Sequence, residues 1–277
     1  MKSFRLTTLL FAAAILLFGC SKDDDTVGAE GEGGDPQEDP TAIVTIPDTN
    51  FKEALLNYEP VIDVNGDGEI QVGEAEALTE LWISNKNIND LTGIEYFINL
   101  DELHIDNNVA LDEVDVSKLV KLKKLIANFT ALASIDLTQN TKLTLFDCFK
   151  CLSLEQIEVS TESGKNKIES LNICGVAMSS LNTQNYEHLK YIFFRGAKFT
   201  SLDLSTNAEL EQVFGNDTPT LTTLNVKTGN IAQISDLQVY NCPSLTSICV
   251  DDISVAEGKD PNRWKKDATA VYTENCN

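Results

Sequence analysis

The chain has 277 residues, 43 of them acidic and 21 basic, for a formal net charge of −22 at pH 7. That balance works against nucleic acid and anionic lipid surfaces as partners, because both require a positive footprint. Hydrophobic residues make up 42% of the sequence, enough for a sizeable core, while two histidines leave acid–base chemistry short of its usual side chain.

The N-terminus has the form of an export signal. Lys2 and Arg5 precede an apolar run from Leu6 to Phe18 that is too short to span a bilayer. Leu17-Phe18-Gly19-Cys20 resembles a bacterial lipobox, in which Cys20 becomes the lipidated first residue. Next, Ser21-Lys22-Asp23-Asp24-Asp25 resembles the acidic surface-export signal of Bacteroidetes-type lipoproteins. These resemblances imply a signal peptide over 1–19 and an outer-membrane lipoprotein exposed at the cell surface. Residues 21–40 hold eight acids and four glycines, and Val27 is their one large hydrophobic residue. Such a segment cannot bury enough apolar surface to fold, so residues 20–44 are expected to form a solvated acidic tether.

Residues 45–77 are expected to form a helical N-terminal cap. Asp48 is placed to N-cap a short helix through Phe51, Ala54, Leu55 and Tyr58, ended by Pro60. Residues 63–74 then satisfy the calcium-loop pattern D-x-[DN]-x-[DN]-G-x5-E. The expected ligands are Asp63, Asn65, Asp67, Glu69 through its carbonyl, Gln71 through water, and Glu74, with Gly68 at the sharp turn. An Asn-Gly-Asp-Gly surface turn with incidental acids uses the same residue types, and the full pattern favours Ca²⁺ over it. No second loop exists to pair with, so the expected role is structural, holding the cap together rather than sensing.

From Leu78 to Leu245, sixteen L-x-x-L-x-hydrophobic half-units begin at steps of 10 to 12 residues, except for one of 14 before Ile168 and one of 13 before Ile234. Paired, they make eight repeats of about 21 to 24 residues, the range of leucine-rich repeats. One coil of this size cannot bury its own apolar residues, but stacked coils share a continuous core. The expected fold over 78–250 is a leucine-rich-repeat solenoid, a curved right-handed α/β or mostly β horseshoe. Residues 251–277 are expected to be an irregular C-terminal cap, with Trp264 and Tyr272 covering the last coil.

Six cysteines remain besides Cys20. Cys151 and Cys242 fall in the Asn/Cys slot of the repeat and Cys148 faces inward, so Cys148-x-x-Cys151 reads as small buried side chains. No second pair stands at zinc-site spacing. Cys249 and Cys276 are placed to close the C-terminal cap as a disulfide, although the sequence leaves connectivity open.

Period two within each concave strand names the outward residues. One column is Trp82, His104, Ile126, Asp147, Asn172, Phe193, Phe214 and Gln238; flanking it are Glu80, Glu102, Lys124, Tyr191, Asp106, Phe149, Arg195 and Tyr240. The candidate partner-binding set is Trp82, His104, Ile126, Phe149, Tyr191, Phe193, Arg195, Phe214 and Tyr240, rich in the residue types that dominate protein interfaces.

Residues 46–250 resemble bacterial leucine-rich-repeat surface lipoproteins of the internalin-like class. The resemblance is carried by Ile46-Pro47-Asp48 with Asn50-Phe51-Lys52, the calcium loop, Leu91-Thr92-Gly93-Ile94-Glu95-Tyr96-Phe97 and the repeats. It implies the fold and leaves the ligand open, since this scaffold serves many partners. The sequence lacks G-x-S-x-G, H-E-x-x-H and phosphate-binding glycine loops, and His104 beside Glu102 and Asp106 reads as a surface histidine. The expected function is a non-catalytic, monomeric adhesion module that binds a protein on its concave face and meets the membrane through its lipid alone. A glycan-binding component and a structural envelope or biofilm protein are the alternatives.

Overall fold

The computed structural model describes residues 39–276; Cys20, the signal peptide and most of the expected tether lie outside the described residues. The described chain is a solenoid of parallel strands, most of them three residues long. Its long face is a nine-stranded parallel sheet. The strands are Glu80–Trp82, Glu102–His104, Lys124–Ile126, Leu145–Asp147, Ser170–Asn172, Tyr191–Phe193, Gln212–Phe214, Asp236–Val239 and Trp264–Lys266. Register is kept through the central residues, Leu81 opposite Leu103, Leu125 and Phe146, then Leu171, Ile192, Val213, Leu237 and Trp264. All nine are buried, because period two sends them inward while both neighbours face out.

The opposite wall is discontinuous. Ser134–Asp136 pairs with Gln156–Glu158, and a separate sheet joins Ser201–Asp203, Thr223–Asn225, Ser247–Cys249 and Val271–Thr273. Between the walls, the half-unit leaders from Ile88 to Leu245 are all buried. Among the described residues, no helix is long and apolar enough to cross a membrane.

Each of the first eight coils leaves the long sheet through a left-handed residue at one fixed position: Asn85, Asn107, Phe129, Lys150, Gly175, Gly196, Asp217 and Asn241. The N–H groups of six of them carry the ladder into the turn, as in Asn85 to the Asp106 carbonyl at 2.8 Å and Lys150 to the Cys174 carbonyl at 2.7 Å. From the second coil on, the next residue is buried and fills the Asn/Cys slot. Asn108 is fully buried, accepts the N–H groups of Lys86 and Ile88, and donates to the carbonyls of Ile83 and Ile105. Cys151 and Cys242 fill the same slot with a single sulfur each, which lies 3.1 Å from the Ala127 carbonyl and 3.3 Å from the Gly215 carbonyl respectively.

Several expectations need correction. The solenoid has nine coils on its long face, not eight, because the expected irregular cap contains strands: Trp264–Lys266 pairs with Asp236–Val239, and Val271–Thr273 pairs with Ser247–Cys249. Cys148 and Cys151 are bonded to each other, with Cα atoms 5.6 Å apart, rather than being separate buried thiols. The turn at Lys150 brings them to disulfide range. Cys249 and Cys276 are likewise paired, with Cα atoms 5.6 Å apart, and Cys174 and Cys242 are free and buried.

The expected tether also ends earlier than residue 44. Val44 is buried, its N–H donates to the Ile70 carbonyl at 2.8 Å, and the Val72 N–H donates to Ala42 at 2.9 Å. Helix α1 (Thr49–Leu56) starts at Asp48, whose carboxylate accepts from Asn50 and Phe51, and buries Phe51, Ala54 and Leu55. Tyr58, expected on that helix, lies beyond its end and reaches the first strand of the long sheet. A second helix, α2 (Val72–Glu76), leads into the first coil.

Candidate functional site

The long sheet presents three outward rows. The central one contains two aromatic stacks. Trp82, 54% exposed, lies over His104 with ring centres 4.3 Å apart. Phe193 and Phe214, both half-buried, stack at 5.1 Å with planes 2° apart. In-register parallel pairing brings Trp82 opposite His104 and Phe193 opposite Phe214, so neighbouring coils place like positions face to face. Four strand spacings separate the stacks, about 19 Å.

Between the stacks the centre is polar. Ile126 is half-buried, and Asp147 is pushed up from the usual carboxylate range by burial, against the opposing bonds from the Phe149 N–H and Asn128. Beside the first stack, Glu102 takes Lys124 Nζ at 2.5 Å and lies 3.6 Å from His104 Nε2. The lysine bond is the main reason its pKa is held down. Beside the second stack, Tyr191 donates to Glu211 at 2.9 Å, and Arg195 pairs with Asp217 at 2.8 Å. Tyr240 lies under Lys265 Nζ at 4.0 Å.

Phe149 belongs to a cluster that the sequence did not reveal. Phe129 meets it edge-on at 5.3 Å, and Lys150 Nζ lies 5.6 Å from the Phe129 ring and 5.4 Å from Phe149. Phe129 occupies the left-handed turn position at φ 56°, where the two preceding coils use Asn and the next uses Lys150. A bulky residue is disfavoured there. The signal available was its place in the turn column, directly after Asn85 and Asn107 in the two preceding coils. The long face thus offers flat aromatic surfaces interleaved with paired charges, the chemistry of a docking surface.

The loop of residues 63–74 is closed by its own acids. Asp63 accepts N–H groups of Gly66 at 2.7 Å and Gly68 at 2.9 Å, and Glu74 accepts those of Val64 at 2.7 Å and Gln71 at 3.0 Å. Side chains of Asn65, Asp67 and Gln71 converge to within 2.9 to 3.1 Å of one another. The Glu69 carboxylate instead takes Lys52 at 2.6 Å. Among the described residues, no three His, Cys, Asp or Glu side chains gather at metal-holding distance. Here the donor set is mixed, with amide and backbone oxygens beside three carboxylates, and its all-oxygen chemistry fits a hard cation. Ile70, at the loop's inward position, is buried, and its carbonyl accepts the Val44 N–H.

No protein-family model matches the sequence, and no curated protein matches it. Solved structures do. Internalin C2 of Listeria monocytogenes is 14% identical over 82% of this chain and 94% of that one, with a TM-score of 0.54. Internalin InlF of the same organism is 15% identical over 84% of this chain and 96% of that one, with a TM-score of 0.35. A leucine-rich-repeat protein of Leptospira interrogans is 16% identical over 56% of each chain, also at 0.35. The likeness to internalin C2 is one of fold, and the other two add nothing to it. The fold is an internalin-like leucine-rich-repeat solenoid.

Proposed function

We propose that this protein is a non-catalytic recognition module, tethered to the outer membrane through Cys20 and exposed at the cell surface, which binds a protein partner on its nine-stranded face. The observation that carries the reading is the pair of aromatic stacks, Trp82–His104 and Phe193–Phe214, set on one rigid sheet. Rings held against each other lose little entropy on binding, and aromatic and arginine side chains supply most interface hot spots. The internalin-like fold supports it as a scaffold suited to adhesion. Replacing Tyr191, Phe193 and Phe214 together with Ala, then comparing crosslinked pull-downs from outer-membrane and host extracts, tests the proposal: the captured partner should disappear. Identical capture by the triple variant overturns it.

The exposed Trp82 ring favours glycan binding as a second reading, because sugar rings stack on such surfaces. A polysaccharide array on which binding is lost with Trp82→Ala or Phe214→Ala would select it. Residues 63–74 complete the proposal as a structural Ca²⁺ site, using Asp63, Asn65, Asp67, the Glu69 carbonyl, Gln71 and Glu74. The cation would supply positive charge that binds the loop's oxygens together beside the first coil.

A further inference from the structure

The repeat rhythm is broken most by the 14-residue step between Leu154 and Ile168, and the break is visible on the back wall. Gln156–Glu158 pairs with Ser134–Asp136 along one edge; among the described residues, its other edge carries no ladder. The next coil crosses this wall at residues 180–182 without forming a strand, and the strand after it, Ser201–Asp203, belongs to the other sheet. The extra residues form an outward loop, held to the next coil by the Gly164 N–H on Glu187 at 3.0 Å and by Lys167 against His188 at 3.1 Å.

Solenoids expose their cores at their ends. Ile157 has that character in the middle of the chain. Central residues of the other back-wall strands are buried except Tyr272 in the last coil, whereas Ile157, like Tyr272, is only partly buried. A groove of about 700 Å³ opens beside it, bordered by Ile157, Leu181 and Tyr186. Tyr186 is 1% exposed and its hydroxyl has no hydrogen-bond partner. Burying a hydroxyl unpaired is costly, so Tyr186 is a weak point of the packing beside the groove. The rim carries Glu155, Glu158 and Glu162 against one base, Lys165.

We propose that this internal edge is a docking site for an extended basic peptide segment of another protein. The segment adds a strand to Gln156–Glu158 and covers Ile157 and Leu181 with alternate apolar side chains. Lysine or arginine at the intervening positions faces the glutamates. Strand addition of this kind takes its affinity from main-chain hydrogen bonds and its specificity from alternating side chains. Charge selects the occupant. The chain's own residues 21–40, with eight acids, and a second copy at net charge −22 both meet like charge here.

A random twelve-residue peptide library displayed on phage and panned against the full chain tests this. Enriched peptides should alternate apolar residues with Lys or Arg, and should slow amide exchange at residues 155–159. A proline at the peptide centre should abolish binding, and Glu158→Lys with Glu162→Lys should weaken it at least about tenfold. Both glutamates lie on the surface, so the variant keeps the fold. The proposal is overturned if no peptide is enriched, if the enriched peptides are acidic, if protection falls on the nine-stranded face, or if the double variant binds unchanged.

Discussion

The Tyr58 hydroxyl accepts the Trp82 N–H at 3.0 Å and faces the Glu80 carbonyl at 3.4 Å. Glu80–Trp82 is the first strand of the nine-stranded sheet, and an uncovered edge is a template for another chain. One phenol from the cap thus closes the edge. Tyr58→Phe keeps the ring and removes the hydroxyl. Urea unfolding should show a loss of about 0.5–1.5 kcal/mol, and sedimentation should show a concentration-dependent dimer. A variant equal to the parent in both measurements would mean that water serves the edge equally well.

Asp48 joins α1 to the first coil, accepting Asn50 and Phe51 N–H groups with one oxygen and those of Asn89 and Asp90 with the other. Burial pushes its pKa up, but the four backbone donors outweigh burial and leave it below the usual carboxylate value. A depressed folded pKa places the stabilisation above the unfolded value, and it is lost as pH falls through the folded one. Asp48→Ala should cost about 1–2 kcal/mol at neutral pH, and the gap between variant and parent should close below about pH 4. Denaturant titrations at the two pH values check it; a gap independent of pH would contradict the charged cap.

Gly215 packs directly on a ring of the previous coil, where an added Cβ would overlap Phe194. Gly215→Ala should destabilise the protein by about 3 kcal/mol, at the upper end of overpacking costs. The companion change Phe194→Leu should recover part of the loss in a double-mutant cycle. Additive losses would mean that the two coils relax independently.

If Ca²⁺ binds at residues 63–74 in the folded state only, it stabilises by mass action. With an affinity of about 10⁻⁴ to 10⁻³ M, as in extracellular modules, millimolar Ca²⁺ should raise the melting temperature and chelator should reverse the rise. An Asp63→Ala, Asp67→Ala double variant should show neither effect. An unchanged midpoint in the parent, or an equal shift in the variant, removes calcium from the cap.

The fold was legible because its cause is local. Leucines at half-unit spacing and period two within each strand decide which side chains turn inward, whatever the coils later do. Trp82, His104, Phe193 and Phe214 could be named as outward residues on the same ground. Phe129 could not, since a turn residue gains meaning only when the next coil brings Phe149 and Lys150 beside it. The ninth coil was hidden for a related reason. Residues 251–277 lack the leucine rhythm, and Trp264 joins the inward column only because Leu237 offers it a register.

By itself, then, the sequence determined the solenoid, its period and its inward column, all properties of spacing within one coil. Tertiary structure decided the contacts between coils and caps. It bonded Cys148 to Cys151, laid residues 42–44 along the loop at 63–74, set Tyr58 over the sheet edge, and left Ile157 uncovered where one long step breaks the wall. Those outcomes depend on how successive turns stack, and stacking joins residues whose spacing no local period encodes.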